Sequence, residues 1–397
     1  MFTIEGKYAT AKVFIDEMEE GAIGDVIKLL NQEFVKGATV RIMPDVHKGK
    51  GCVIGFTANL GDKVIPNITG VDIGCGMLTV QLDQHIDLGY LDYVVNEKVP
   101  SGFSTHKNSI VRWDHEQLLC HKELKNHSRF AKSIGTLGGG NHFIELGVGE
   151  TGTYLVIHSG SRNLGSQVAT HYQKLAIDTL SGISKPDRTA LIKQYKDTGR
   201  QKEIKDMLAN LTARKLTVPK ELCYLEGQNR EDYLHDMKLC QEYASLNRLV
   251  MADIILQGLG IGDVDNYPWF ETTHNYVNFN DNIIRKGAIS AYAGETILIP
   301  INMKEGSLLA VGKGNADWNY SAPHGAGRIM SRSKAKELLN LSDFENEMKG
   351  IFTTSVRQST LDEAPGAYKP IEAILDNIGD TADVIDIIRP IYSFKAH

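Results

Sequence analysis

The chain has 397 residues, 42% hydrophobic and 23% charged, a balance that excludes a disordered or fibrous protein and allows a large buried core. Its 43 Lys/Arg against 49 Asp/Glu leave a formal charge of −6, so no bulk positive field gathers nucleic acid and any nucleic-acid surface must be local. Five cysteines without disulfide-like spacing, an N-terminus with no basic region leading into an apolar stretch, and apolar runs far short of the roughly 20 residues of a bilayer span point to a reduced, cytoplasmic protein with no membrane segment.

In chain order, residues 40–43, 52–56 and 78–82 read as strands punctuated by Gly, Pro, Asn and Asp. Residues 105–133 read as helical, and residues 153–157 as an apolar strand that ends at His158. A helix is expected over 165–181 and another over 234–258, where Leu234, Met237, Tyr243, Leu246, Val250 and Ile254 recur at helical spacing. Between them, residues 185–220 hold ten Lys/Arg against four Asp/Glu, a net +6 inside a chain of −6, and read as a basic helical insertion. Residues 288–301 form one or two strands and 326–340 a further helix. Nothing repeats, and the notable residues run from position 45 to the C-terminus. The strand and helix pattern supports a mixed α+β class in one integrated body.

Four stretches carry donor atoms. Asp72 and Cys75 lie three apart on the glycine loop GVDIGCGM at 70–77, where missing side chains let backbone and ligand approach one ion. Four glycines precede Asn141, His142 and Glu145; His158 ends an apolar strand; His274 follows an aromatic loop. Together Asp72, Cys75, His142, His158 and His274 offer one S, one O and three N donors, a mix suited to a divalent transition metal and one more than a structural zinc site uses. A thiolate bridging two ions is one way to use five; softness alone favours zinc.

His324 lies in SAPHGAGR at 321–328, on a small-residue loop expected to open a helix, with Arg328 and Arg332 four apart on one face. An imidazole facing a phosphate between two arginines suits attack on phosphorus. Asp45, on another glycine loop, is a candidate to hydrogen-bond one nitrogen of His324 and leave the other as nucleophile.

These stretches together resemble the RtcB family of RNA-splicing ligases, from about residue 40 to the end and excluding the basic segment near 185–220. The resemblance rests on GVDIGCGM, GNHFIE at 140–145, HSGSR at 158–162, HNY at 274–276, SAPHGAGR, DEAPGAYK at 362–369 and the near-terminal Lys395. It implies an α+β fold, a single large mixed body with sheets flanked by helices, one catalytic domain over 1–397 and a GTP- and Mn²⁺-dependent ligase that joins RNA ending in a 2′,3′-cyclic phosphate or 3′-phosphate to RNA bearing a 5′-hydroxyl. It further implies that His324 forms a covalent histidine–GMP, and that Asp72, Cys75, His142, His158 and His274 hold two manganese ions with Cys75 as bridge. The GTP pocket it implies is Asn141, His142, Phe143, Ile144, Glu145, His274, Asn275, Pro300, Ile301, Asn302, Met303, Ser307, His324, Gly325, Ala326, Gly327 and Lys395, with Tyr368 as ring-stacking partner. Arg162, Arg328 and Arg332, with Lys202 and Lys205 of the basic segment, are candidate RNA contacts, and an archease-type activator is a candidate partner.

One stretch departs from the family, which commonly has PGSMG where this chain has Pro300-Ile301-Asn302-Met303-Lys304. Losing both glycines removes backbone freedom beside the implied nucleotide pocket. Two other readings use the same residues: a metal-dependent phosphoesterase acting on RNA ends without a nucleotide, and a non-catalytic RNA- or nucleotide-binding protein.

Overall fold

The computed structural model describes residues 1–181, 185–211 and 216–396. Two large sheets and a small ribbon form the frame. A six-stranded sheet runs in the order Phe2–Glu5, Thr10–Val13, Val40–His47, Ile54–Asn59, Ile283–Lys286, Asn275–Asn278. A seven-stranded sheet runs Thr296–Asn302, Gly306–Gly312, Ala382–Lys395, Phe143–Gly149, Gly152–Ser159, Gly76–Leu82, Trp269–Thr273. The ribbon pairs Ala288–Ser290 with Ser321–Pro323. This is the expected α+β class, with helices on the sheets.

The seven-stranded sheet curls until its two edge strands meet, the Leu298 amide donating to Thr272 Oγ1 at 3.2 Å. Alternation explains how both faces are filled. Leu78, Val80, Ile144, Leu155 and Ile157 point outward to helices, whereas Met77, Phe143, Tyr154 and Val156 point into the curl and meet Leu298, Leu309 and Ile388.

The 33-residue helix Gly227–Leu259 joins the two cores. Its first half packs Tyr233, Met237 and Cys240 with residues of the six-stranded sheet, and its second half packs Met251, Ile255 and Leu256 under the seven-stranded one. It stops at Gly260, whose φ of 74° is the left-handed C-terminal cap. No helix of the described residues is long and apolar enough to cross a membrane.

Two expected helices come out differently. Residues 105–133 form only the short turns His115–Gln117 and His121–Glu123 and the helix Ser128–Ser133. Helix Gly227–Leu259 intervenes, because buried Asp236 accepts from the amides of Leu119 and Cys120 at 2.8 and 3.0 Å and takes the place of the next helical turn. The helix expected over 326–340 is confined to Arg332–Leu338. Residues 327–329 instead pair as extended chain with 367–369, Ile329 N donating to Ala367 O and Lys369 N to Gly327 O, both at 3.0 Å. Arg328 and Arg332 therefore do not share a helical face, and His324 does not open a helix.

Within 185–220, Lys185–Asp197, Gln201–Glu203 and Ile204–Leu211 are helical, and Lys202 and Lys205 are exposed. Arg214 and Lys215 of that basic segment lie outside the described residues.

Candidate functional site

Strand register gathers the donor atoms. Four neighbouring strands of the curled sheet end side by side, with Met77 opposite His158, Phe143 opposite His158, and Gly76 opposite Thr273. Cys75 therefore precedes one strand, His142 precedes the next, His158 lies one residue from the end of the third and His274 follows the fourth. The His274 amide donates to Cys75 O at 2.9 Å, which fixes the last pair.

Cys75 Sγ lies 3.5 Å from His142 Nε2 and 3.3 Å from His158 Nε2. His158 Nε2 is 3.4 Å from His274 Nε2, and His142 Nε2 is 2.9 Å from Asp72 Oδ2. The donors fall into two triads that share the sulfur, Asp72–Cys75–His142 and Cys75–His158–His274, each with its donor atoms within 4.8 Å of one another.

Protonation logic fits a cation. His142 Nδ1–H donates to the Leu137 carbonyl at 2.8 Å, which fixes the ring with Nε2 facing the Asp72 carboxylate. Burial, reinforced by the neighbouring imidazoles, pushes His158 and His274 well below the ordinary imidazole range, so both offer lone pairs. Burial opposes ionisation of Asp72, yet the hydrogen bond and charge of His142 outweigh it and hold the carboxyl below its usual value. Burial, then the Asp72 charge, push the Cys75 thiol well up. Asp72 Oδ1 has no hydrogen-bond partner among the described residues. Lone pairs crowded this closely fit one or two divalent ions, which would also hold the sulfur as thiolate.

Two residues of helix Gly227–Leu259 hold these loops. Arg248, 1% exposed, donates from Nη1 to Gly74 O at 2.8 Å and Ser159 O at 2.9 Å, and from Nε to Glu271 at 2.8 Å. Asn247 accepts from the amides of Gly135 and Thr136 and donates to Ser159 Oγ and Gly160 O. The pair thus ties the strand ends that carry Cys75 and His158 and the loop leading to His142. Gly74 permits the approach: its φ is 73°, and a Cβ there would come within 2.8 Å of Gln241 Cα in the helix.

His324 stands next in line, its ring centroid 4.8 Å from that of His274. Asp45, fully buried, accepts from His324 Nδ1 at 2.5 Å and from the His324 amide at 3.1 Å. That pairing leaves Nε2 as the nitrogen available for chemistry. Gly327 makes room for the arrangement, since at φ 76° a Cβ would sit 2.4 Å from Asp45 O.

A cavity opens from His324 into the concave face of the curled sheet. It is lined by Asn141, Phe143, Glu145, Pro300, Ile301, Asn302, Met303, Ser307, Gly325, Ala326, Gly327, Tyr368 and Lys395, all singled out from the sequence. His47, Ser393, Arg328 and Arg332 also line it. Three buried polar atoms there lack a partner among the described residues: Glu145 Oε1, Ser307 Oγ and Ser393 Oγ. Burial pushes Glu145 up to about 8, only partly offset by Lys395, so it keeps its proton at neutral pH.

Other expected pocket residues lie elsewhere. Ile144 faces the opposite side of its strand and belongs to the apolar core. Asn275 uses Oδ1 to accept from the Gly287 amide at 2.9 Å. His142 and His274 belong to the donor cluster. Arg328 and Arg332 are already engaged: Arg328 donates to the Asp362 main-chain carbonyl at 2.6 Å, pairs with Glu363 at 3.4 Å and stacks over the Tyr368 ring at 4.9 Å, and Arg332 bonds the Asp362 carboxylate at 2.8 Å and Glu363. Lys395 is paired with Glu363 at 2.7 Å. Burial opposes ionisation of Glu363, but Lys395 and Arg332 outweigh it and draw its carboxyl down to about 2. Arg162 donates to Thr136 Oγ1 at 3.1 Å and Gly102 O at 2.9 Å, beside the donor cluster.

The departure at 300–304 forms the turn between strands Thr296–Asn302 and Gly306–Gly312. Asn302 Oδ1 accepts from the amides of Lys304 and Glu305, both at 2.9 Å, while Ile301 and Met303 are each 3% exposed. No left-handed backbone occurs at 301, 302 or 304, so an Asn side chain closes the turn without strain.

His47 and Ser393 escaped the sequence reading although a signal existed: each lies two residues along a strand from a selected residue, Asp45 or Lys395, and so shares its face. Asn247 and Arg248 carried no local signal, and Glu363, although inside the DEAPGAYK stretch, was given no role there.

The family model described as tRNA-splicing ligase RtcB matches residues 28–123 and 116–396. The RNA-splicing ligase RtcB of Escherichia coli K12 is 31% identical, with 90% of each chain covered. The tRNA-splicing ligase RtcB of Archaeoglobus fulgidus is 26% identical over 90% of this chain and 87% of its own, and that of Aeropyrum pernix 27% over 88% and 85%.

Replacing Arg248 by Met removes the charge partner of Glu271, which keeps only the Ser245 hydroxyl, and the donor to two carbonyls, and is expected to cost about 3 kcal/mol of stability, the scale for breaking a buried ion pair. Urea unfolding checks this, and an unchanged midpoint would remove the clamp from the account.

Proposed function

The chain belongs to the RtcB family of RNA-splicing ligases and is an RNA ligase, and from that premise we propose that it seals RNA through a covalent histidine–GMP on His324, using GTP and Mn²⁺. The observation that carries this reading is the position of His324: held by buried Asp45, it stands between the two-triad donor cluster and a cavity with unpartnered polar atoms.

Asp45 accepts the Nδ1 proton, sets the tautomer and aims the Nε2 lone pair at the α-phosphorus of GTP. The P–N bond forms as the bond to the pyrophosphate oxygen breaks, and Asp45 offsets the charge that develops on the ring. Asp72, Cys75 and His142 would hold one ion and Cys75, His158 and His274 a second. Bound there, manganese would neutralise triphosphate charge and polarise the α-phosphorus. The cavity residues Glu145, Ser307, Ser393 and Lys395 supply polar contacts for the nucleotide, and Phe143 and Tyr368 apolar ones.

A 2′,3′-cyclic phosphate is first opened to the 3′-phosphate. The RNA 3′-phosphate then takes GMP from His324, and the 5′-hydroxyl of the second RNA displaces it. Residues 1–397 act as one catalytic domain, with the basic helices of 185–220 as an added RNA-binding arm. An archease-type activator is a proposed partner for turnover.

Labelled GTP with Mn²⁺ should give an acid-labile, alkali-stable adduct that His324→Ala lacks and that Asp45→Asn forms at least about a hundredfold more slowly. Equal labelling of His324→Ala would overturn the nucleophile, and opening of cyclic phosphate without GTP or joined product would favour a phosphoesterase. Elemental analysis of Cys75→Ser should find bound manganese well below wild type, and unchanged stoichiometry would count against a bridging sulfur. Charge reversal at Lys202 and Lys205 should weaken RNA binding and spare the adduct, whereas equal loss of both would make the segment structural.

A further inference from the structure

Phe103 is 95% exposed, the most open large apolar side chain among the described residues. It is not on a loose loop. The Ser104 amide donates to Ser101 O at 3.1 Å and closes a turn beneath the ring. Gly102 N donates to Gly138 O at 2.8 Å, and Leu137 N to Pro100 O at 2.9 Å. Two guanidinium groups hold the same turn by its carbonyls, Arg162 on Gly102 O at 2.9 Å and Arg129 on Phe103 O.

This turn is built onto the donor cluster. Leu137, whose amide donates to Pro100 O just before this turn, accepts from His142 Nδ1 at its carbonyl at 2.8 Å. Arg162 carries the same connection from the other side, four residues after His158. The ring is therefore presented at a fixed place relative to the reacting centre.

The surroundings of the ring indicate what covers it. The chain neighbours Ser101, Gly102, Ser104 and Thr105 are small and mostly polar, so the turn itself adds little apolar surface to the ring for a protein partner to cover. Residues 104–134 carry six Lys/Arg against three Asp/Glu, a local +3 in a chain of −6. An exposed aromatic beside arginines matches single-stranded nucleic acid, whose bases stack on the ring while its phosphates meet the cations.

We propose that Phe103 is a stacking platform for an unpaired base near the RNA end being joined, with Arg129 beside it to meet the adjoining phosphate. This rests on the ligase reading, and it places an RNA contact on the 101–104 turn, a part of the chain distinct from the basic helices of 185–220.

The test uses the full-length protein and two RNA oligonucleotides with 2-aminopurine near the end, one with a 5′-hydroxyl and one with a 3′-phosphate. Wild type should quench 2-aminopurine in at least one of them. Phe103→Ala should lose that quenching and bind the same RNA about tenfold more weakly, and Phe103→Trp should restore both. Guanylylation of His324 should be unchanged in both variants. So exposed a ring can be truncated without loss of core packing, and the intact adduct reports a folded protein.

Equal RNA affinity and quenching in Phe103→Ala overturn the platform, whether the turn then serves a protein partner or nothing; a wild type that still takes GMP and seals RNA leaves the ligase reading standing. Conversely, a wild type with neither adduct nor sealed product overturns the ligase reading, and the platform is then decided by quenching alone.

Discussion

The buried guanidinium of Arg248 is the contact on which the site depends. One side chain spans the gap between the loop before Cys75 and the strand end after His158, and Glu271 neutralises it at 2.8 Å. Its neighbour Asn247 does the same for the loop that leads to His142. Donor atoms that repel one another when deprotonated do not assemble unaided. A helix packed into both apolar cores supplies the rigidity, and two adjacent polar residues transmit it to the loops. The cost of burying Arg248 is offset because every group it meets is a fixed acceptor.

The cavity shows the complementary arrangement. Glu363 concentrates the local positive charge, taking Lys395 at 2.7 Å, the Tyr368 hydroxyl at 2.7 Å and Arg328 and Arg332. Two arginines and a lysine that look like ready anion ligands in the sequence are thus partly neutralised, and they stiffen the wall they form. Glu145, in contrast, has no comparable partner and keeps its proton. The walls are satisfied while a few inward atoms are not, which is the condition of a pocket shaped for a polar occupant.

Much of this was legible from residue types. Asp72, Cys75 and the three histidines stand out because glycine loops and strand ends are where side chains converge, and Asp45 beside His324 follows from what an imidazole nucleophile needs. The misplaced helices at 105–133 and 326–340 have one cause in common. In both, backbone groups that a helix would pair internally find partners from distant chain, the Asp236 carboxylate or the 367–369 segment. Ile144 was placed in the pocket because its motif neighbours are there, yet strand alternation turns it to the core.

The amino-acid order alone determined the α+β class, the main strands, the long helix and the chemistry of the donor atoms, because periodicity and turn preference act over a few residues. Only the tertiary structure decided that the donors divide into two triads sharing one sulfur, that Arg328 and Arg332 spend their charge on Asp362 and Glu363, and that Arg248 binds the loops together. Those outcomes depend on which segments, up to hundreds of residues apart, share a low-dielectric interior, where an ion pair or an orphaned lone pair outweighs local preference.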